Sequence, residues 1–252
     1  MRIKKLNLQN FMGYDVARDL DFDSKFILLV GENGAGKTSL LEALADALGI
    51  WHAAIPGYGW HNISDEHIRR AWVGSNGALS LEKQFPVEVA VEGEIGGQML
   101  QWTRGRYKGK RTSHKNARPA QELIEALAEK ARSGQPVVLP LAAYYGDGRL
   151  HLDRQVRASR GGKDNPKRVQ NRLSRFEGNR NSLDSRIAWK DLVQWVARQE
   201  WVAFQEKHEP VEYTAFKRAI LDCLDGGESF RYDARTEQIL VGSGRGFCRW
   251  ST

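Results

Sequence analysis

Residues 26–48 read Phe26-Ile27-Leu28-Leu29-Val30-Gly31-Glu32-Asn33-Gly34-Ala35-Gly36-Lys37-Thr38-Ser39-Leu40-Leu41-Glu42-Ala43-Leu44-Ala45-Asp46-Ala47-Leu48. The first five form an unbroken apolar run of strand length, which predicts a central strand buried on both faces. Ser39–Leu48 is rich in strong helix formers, and Gly49 is its expected stop. Between the two, Gly31–Thr38 fits G-x-x-x-x-G-K-[ST] at every fixed position. Glycines let such a loop curl so that successive backbone N–H groups face a phosphate, and the helix N-terminus adds its positive dipole end. A bare match arises by chance in a chain with 25 glycines, but the strand before and the helix after set this one apart. The residues expected to touch a nucleotide are Gly31, Glu32, Asn33, Gly34, Ala35, Gly36, Lys37, Thr38 and Ser39. Lys37 is the catalytic candidate, expected at the β- and γ-phosphates, and Thr38 is the candidate Mg²⁺ ligand. The expected cofactors are therefore ATP and Mg²⁺.

Outward from this stretch, the chain alternates between strand and helix patterns. Residues 2–11 and the piece around Leu20 and Phe22 alternate like strands of a partly solvated sheet. Residues 51–85 hold Trp51, Tyr58, Trp60 and Trp72 without a clean period, so irregular structure with a short helix near Asp65–Val73 is expected. Val87–Ile95, Gly96-Gly97 and Met99–Thr103 form a hairpin signature. Residues 120–132 place Leu123, Ile124, Leu127, Ala128 and Ala131 on one helical face, and Val137–Tyr145 is a second buried-strand candidate. An amphipathic helix is expected over 184–205 and another over 212–224, with a final strand pair at Phe230–Tyr232 and Gln238–Val241.

The chain has 252 residues, 41% hydrophobic and 27% charged, enough for a sizeable core, which excludes disorder as the overall state. No apolar run approaches the roughly 20 residues of a membrane span, no secretory leader is evident, and a cytoplasmic location is expected. Two cysteines, Cys223 and Cys248, exclude a disulfide scaffold, and neither they nor the histidines have zinc-ligand spacing. The net charge of +7 is concentrated. Arg104–Arg118 holds seven basic residues and no acid, and Arg154–Arg180 nine against two acids, so the remainder of the chain is net acidic. A solvated loop and a DNA or RNA surface are both open for these segments; phosphate contacts would make binding strongly salt-dependent.

The form Gly-x-Asn-Gly-x-Gly-Lys-Thr resembles the ABC-type and SMC/RecF-type ATPases rather than the AAA+ or small-kinase versions. "IKKLNLQNF" and "DLDFDSKFILLVGENGAGKTSLLEALADALG" resemble the first strands, P-loop and first helix of SMC/RecF heads. "LAAYYGDGRL", "LDSRIAWKDLVQW" and "FRYDARTEQILV" look like the RecF/SMC-like AAA-family ATPases of Septu and retron anti-phage systems. Tyr144–Arg149 would then stand near the nucleotide in a Q-loop role, with a tight turn as the plainer alternative. The resemblance also has gaps. Met12-Gly13 stand where relatives carry a basic residue, and Leu224-Asp225-Gly226-Gly227-Glu228 is read as a helix end and turn rather than the family's signature. No Walker B strand of four apolar residues followed by Asp-Glu is present, and the apolar run before Tyr144-Tyr145 ends without an acid.

The expected fold is α/β, the N-terminal lobe of an ABC/SMC-head-like P-loop NTPase with inserted and helical subdomains. The expected divisions are 1–150 for the P-loop lobe with an insertion at about 50–135, 151–183 for a basic connector, and 184–252 for a helical subdomain and strand pair. The end of the chain is expected to reflect truncation or a frameshift, since Phe247–Thr252 can be encoded so that another frame reads Leu-Pro-Leu-Val-Asp. The resemblance implies an ATP-binding component of an anti-phage system, working as a homodimer with an effector nuclease and with DNA or RNA at 104–118 and 154–180. A RecF-like repair or recombination ATPase, a truncated nucleotide-binding module without turnover and, less well matched, an ABC transporter subunit stay open beside it.

Overall fold

The computed structural model describes residues 1–53, 62–75, 78–146, 182–183, 189–224, 227–243 and 246–249. These fall into two compact units, one of residues 1–146 with 182–183, the other of residues 189–249.

The first unit is organised by a five-stranded antiparallel sheet. Its strands are β1 (Arg2–Phe11), β2 (Tyr14–Asp21), β5 (Val87–Ile95), β6 (Gln98–Arg106) and β7 (Thr112–Ser113), in the order β2-β1-β5-β6-β7. Alternation fixes which face is covered: Leu6 and Leu8 of β1 and Val87, Val89, Val91 and Ile95 of β5 all point into the core. Gly96 and Gly97 both take positive φ, 58° and 84°, and close the expected two-residue hairpin. Residues 87–106 thus form the middle of the sheet.

Against that covered face lies α1 (Lys37–Leu48). Ala43 and Ala47 are fully buried there, and their small side chains let the helix approach the strands closely. The Trp102 indole N–H donates to the Ala47 carbonyl at 3.2 Å, satisfying one end of a fully buried ring. Gly49 ends α1 without a left-handed turn, at φ −57°, so the chain runs directly into α2 (Ile50–Ala53) and buries Ile50 and Trp51. The helix expected at 120–132 is α3 (Arg118–Arg132), with Ala120, Ile124, Ala128 and Ala131 inward.

Four expectations need correction. The short helix near Asp65–Val73 is instead a turn at 65–67, an isolated bridge from Ile68 to Phe11, and the start of a separate antiparallel ribbon, β3 (Arg70–Ser75) and β4 (Ala78–Lys83). Arg104–Arg118 is not an exposed basic loop. It is the end of β6, a tight turn, β7 and the entry to α3, and Arg104 is fully buried.

The other two corrections concern the apolar runs. Phe26–Val30 and Val137–Tyr145 form no strand among the described residues. Phe26, Leu28 and Val30 are 80, 72 and 84% exposed, and Val138 and Leu141 are 92 and 77% exposed. Hydrophobicity made these runs read as buried, but burial needs partners that the antiparallel sheet does not supply.

The second unit packs α4 (Trp189–Glu206) and α5 (Val211–Asp222) with an antiparallel sheet of β8 (Gly227–Asp233), β9 (Gln238–Ser243) and β10 (Gly246–Arg249). The expected strand pair therefore gains a third member. Val196, Tyr213 and Ile239 form its buried centre, and the Tyr213 hydroxyl donates to Glu200 at 2.5 Å. Trp195, Phe216 and Phe230 meet edge to face around it. Leu224 and Gly227 sit at the helix end and the start of β8, joined by the Gly227 N–H to Leu224 carbonyl bond at 3.0 Å, as expected of a turn. No described helix is long and apolar enough to cross a membrane. The basic stretch 154–180 lies outside the described residues.

Trp102 ties helix to sheet by area and by its indole bond, so Trp102→Ala should cost about 3–5 kcal/mol of stability. Urea unfolding of the variant should show that loss as a lowered midpoint.

Candidate nucleotide site

The loop between Val30 and α1 is shaped by its glycines. Gly34 and Gly36 adopt left-handed φ of 86° and 87°, a region that costs any side chain strain. A Cβ on Gly36 would also come within 3.0 Å of the Tyr14 hydroxyl, which itself lies 3.4 Å from the Gly36 carbonyl. The first turn of the helix closes with the Leu40 N–H on the Gly36 carbonyl at 3.0 Å. Gly36 is the N-cap and no side chain caps the helix. The amides of Lys37, Thr38 and Ser39 therefore precede the helical ladder, and the positive end of α1 is left open toward solvent.

Lys37 is folded over this loop. Its ammonium donates to the carbonyls of Gly31 and Glu32 at 2.6 and 2.7 Å, where it neutralises carbonyl dipoles beside the loop's amides. Gly31, Glu32, Asn33, Gly34, Ala35 and Thr38 are exposed, and Gly36 and Ser39 are partly covered. The sequence-selected residues thus form one accessible turn. The donor set suits a polyphosphate: backbone amides, one ammonium and the Thr38 hydroxyl. One protein oxygen also suits Mg²⁺, which keeps phosphate oxygens and waters as its remaining ligands. No cluster of three acidic, histidine or cysteine groups fit for a metal occurs among the described residues.

The hidden side of α1 carries residues that sequence spacing did not single out. Glu42 and Asp46 stand one turn apart on the helix. His67 Nδ1 lies 2.6 Å from Asp46 Oδ2, and its Nε2 lies 3.7 Å from Glu42. The Tyr144 hydroxyl donates to Glu42 at 3.0 Å and its N–H to the Ser182 carbonyl at 2.7 Å. The proposed Q-loop residue is thereby attached to the P-loop helix; Asp147, Gly148 and Arg149 lie outside the described residues.

Buried Arg104 donates to the Asp46 carbonyl, one strand away from His114. Burial pulls the Arg104 guanidinium down to about 10, opposed by the Asp46 charge, so it remains charged at neutral pH. Burial, then the Arg104 charge, push the His114 imidazole down to about 4 and keep it neutral. Arg106 donates to the Ile63 carbonyl at 2.9 Å and pairs with Asp65. Two of the seven basic residues counted in 104–118 are therefore internal ties rather than polyanion contacts. A sequence signal for these ties exists only in retrospect: single polar residues in otherwise apolar strand and helix faces.

Two outcomes follow from this geometry. Gly36→Ala should distort the loop, costing about 1–2 kcal/mol in denaturant unfolding from the left-handed backbone alone. His67 is opposed by burial, but the Asp46 hydrogen bond and the charges of Asp46, Glu42 and Glu66 outweigh it and raise its pKa above the ordinary 6.5. Its contribution is therefore full below about pH 6.5 and is lost as pH rises through the raised folded value. The stability gap between wild type and His67→Gln should shrink on going from acidic to alkaline buffer, read from urea midpoints.

Comparison with known proteins bears on the family. A 44-residue stretch is 52% identical to the DNA replication and repair protein RecF of Leptospira interrogans, covering 18% of this chain and 12% of that protein. The corresponding RecF of Mannheimia succiniciproducens is 57% identical over 44 residues, again 12% of its length. That of Rhizobium leguminosarum bv. trifolii is 34% identical over 93 residues, or 37% of this chain and 21% of that one. The matched stretch is thus a minor part of each relative. The profile of the AAA domain family matches far more, residues 5–225. With its P-loop, its mixed helix-and-sheet architecture and its RecF-like stretch, the chain belongs to the AAA domain family as a RecF/SMC-like P-loop ATPase.

Proposed function

We propose that this chain is the ATP-binding component of a RecF/SMC-like ATPase, holding ATP·Mg²⁺ on Gly31–Ser39. The observation that carries the reading is the uncapped N-terminus of α1 behind two left-handed glycines, with Lys37 poised over the loop. The loop amides take the phosphates, Lys37 takes the charge that builds on the β- and γ-phosphates, and Thr38 offers its hydroxyl to Mg²⁺. Hydrolysis additionally needs an acid to orient water. The sequence has no Walker B pair, so turnover depends on groups outside these motifs and on pairing with a second head, here a homodimer.

The setting proposed is anti-phage defence with an effector nuclease, supported by the resemblance carried by 141–150, 183–195 and 230–241. Residues 104–118 and 154–180 are the places for DNA or RNA, with Lys108, Lys110, Arg111 and Arg118 among the exposed cations of the first. A second reading, DNA repair or recombination, is favoured by the RecF names of the matched relatives.

Calorimetric titration should show MgATP binding that weakens at least tenfold, about 1.4 kcal/mol, in Lys37→Ala. Unchanged affinity in Lys37→Ala would remove the nucleotide site from this loop. In cells, loss of phage protection with Lys37→Ala supports the defence setting, whereas sensitivity to DNA damage without any effect on phage supports the repair setting.

A further inference from the structure

We infer that His67 is a positioning residue for the nucleotide loop, joining the far end of α1 to the turn whose Tyr14 borders Gly36. The connection is a closed ring of contacts. From Gly36, α1 runs about three turns to Asp46. Asp46 Oδ2 lies 2.6 Å from His67 Nδ1, and Glu42, one turn earlier, lies 3.7 Å from Nε2. The His67 carbonyl accepts the Met12 N–H at 2.8 Å, and the Arg69 N–H donates to the Asn10 carbonyl at 2.9 Å. Between them, Phe11 sets its ring 5.2 Å from the His67 ring and bridges its backbone to Ile68. Asn10 and Met12 hold positive φ, 50° and 47°, which side chains adopt at a cost, so these bonds keep the turn in shape. Two residues beyond Met12, the Tyr14 hydroxyl donates to the Gly36 carbonyl at 3.4 Å and closes the ring.

His67 thus has two attachments that act on one loop. Its side chain fixes the helix behind the glycines, and its main chain fixes the turn beside them. A slip between helix and turn moves Gly36 and the amides that follow it, and hydrogen bonds to phosphate weaken steeply with such misplacement. The side-chain attachment depends on charge. His67 faces Glu42 and Asp46 on α1 and Glu66 on its own segment, while β1 presents the Phe11 ring. Behind these, Arg104 of β6 donates to the Asp46 carbonyl with His114 in reach of its charge, and the Tyr144 hydroxyl donates to Glu42. Burial pulls the His67 pKa down, but the Asp46 hydrogen bond and the charges of Asp46, Glu42 and Glu66 leave it above its ordinary value. The protonated ring donates from Nδ1 to Asp46 and turns a second positive N–H toward Glu42. The neutral ring keeps the first bond and turns a lone pair toward the Glu42 carboxylate, so one of the two holds on the helix is lost. This inference rests on nucleotide binding at Gly31–Ser39.

The test is calorimetric titration of the full chain with MgATP between about pH 6.5 and about pH 9, in wild type and His67→Gln. Protonation of ATP itself is common to both proteins and cancels in the ratio of their affinities. Wild type should bind roughly threefold more tightly than His67→Gln at the acidic end, with the ratio falling toward one at the alkaline end. In a Tyr14→Leu background, which opens the ring of contacts at Gly36, His67→Gln should no longer change affinity at either pH. A purely structural His67 would cost the same in both backgrounds. Glu42→Gln leaves the buried ring and the Asp46 bond in place but removes one charge that favours the protonated form. Its fall in affinity should therefore come at lower pH than that of wild type, which keeps the test open if His67→Gln folds poorly. A ratio that stays constant across pH, an effect of His67→Gln that survives Tyr14→Leu, or an unmoved Glu42→Gln profile overturns the inference. Absence of MgATP binding by wild type at every pH is a different result: it removes the nucleotide site, and the inference with it.

Discussion

Asp46 is the point on which the first unit turns. It lies on the inward face of α1 with no exposed surface, its carboxylate against the His67 ring and its carbonyl under the Arg104 guanidinium. A carboxylate buried without partners would cost several kcal/mol, so its neighbours are fixed as firmly as it is. Those neighbours come from two places, the turn before β3 and β6, while Asp46 itself stands on the helix after the P-loop. Their mutual satisfaction sets the rotation of α1 on the sheet. Trp102, bonded to Ala47 one residue further along, sets the helix end.

That anchoring is what gives the glycine loop its direction. The loop itself is exposed and makes few contacts with the body of the protein, of which the Tyr14 hydroxyl near Gly36 is one. A phosphate-binding turn carried on a rigid helix can present its amides without being packed, because the helix axis already aims them. Glu42 adds a second tie, through Tyr144, between the helix and the segment that follows Val138–Ala143. The tie joins the P-loop helix to one of the two exposed apolar segments, so both flanks of the loop end in backbone that the antiparallel sheet leaves unpaired.

Local patterns were legible where the signal was local. The β5–β6 hairpin followed from two glycines between alternating runs, and α3 from a single face of alanine, leucine and isoleucine. The P-loop followed from the spacing of Gly31, Gly36, Lys37 and Thr38. The misreadings share one cause. Phe26–Val30 and Val137–Tyr145 were judged by hydrophobicity, which reports the preference to be buried and not the presence of a neighbour. Composition speaks for a helix over 65–73, whereas the pairing with Ala78–Lys83 that extends its end from Arg70 on is a contact between segments. The Arg104–Arg118 charge was counted as surface because a sum over residues carries no depth.

By itself, then, the sequence determined which residues can curl around a phosphate, since that depends on backbone freedom at glycines and on one lysine and one hydroxyl at fixed spacing. It also determined the helices whose apolar faces repeat within one turn. Tertiary structure alone decided that Asp46, His67, Arg104 and Tyr144 meet around the back of α1, because their partners are distant in the chain. It decided as well that, among the described residues, no strand stands beside the most apolar run. Pairing is a property of two segments, and a single segment's composition states only half of it.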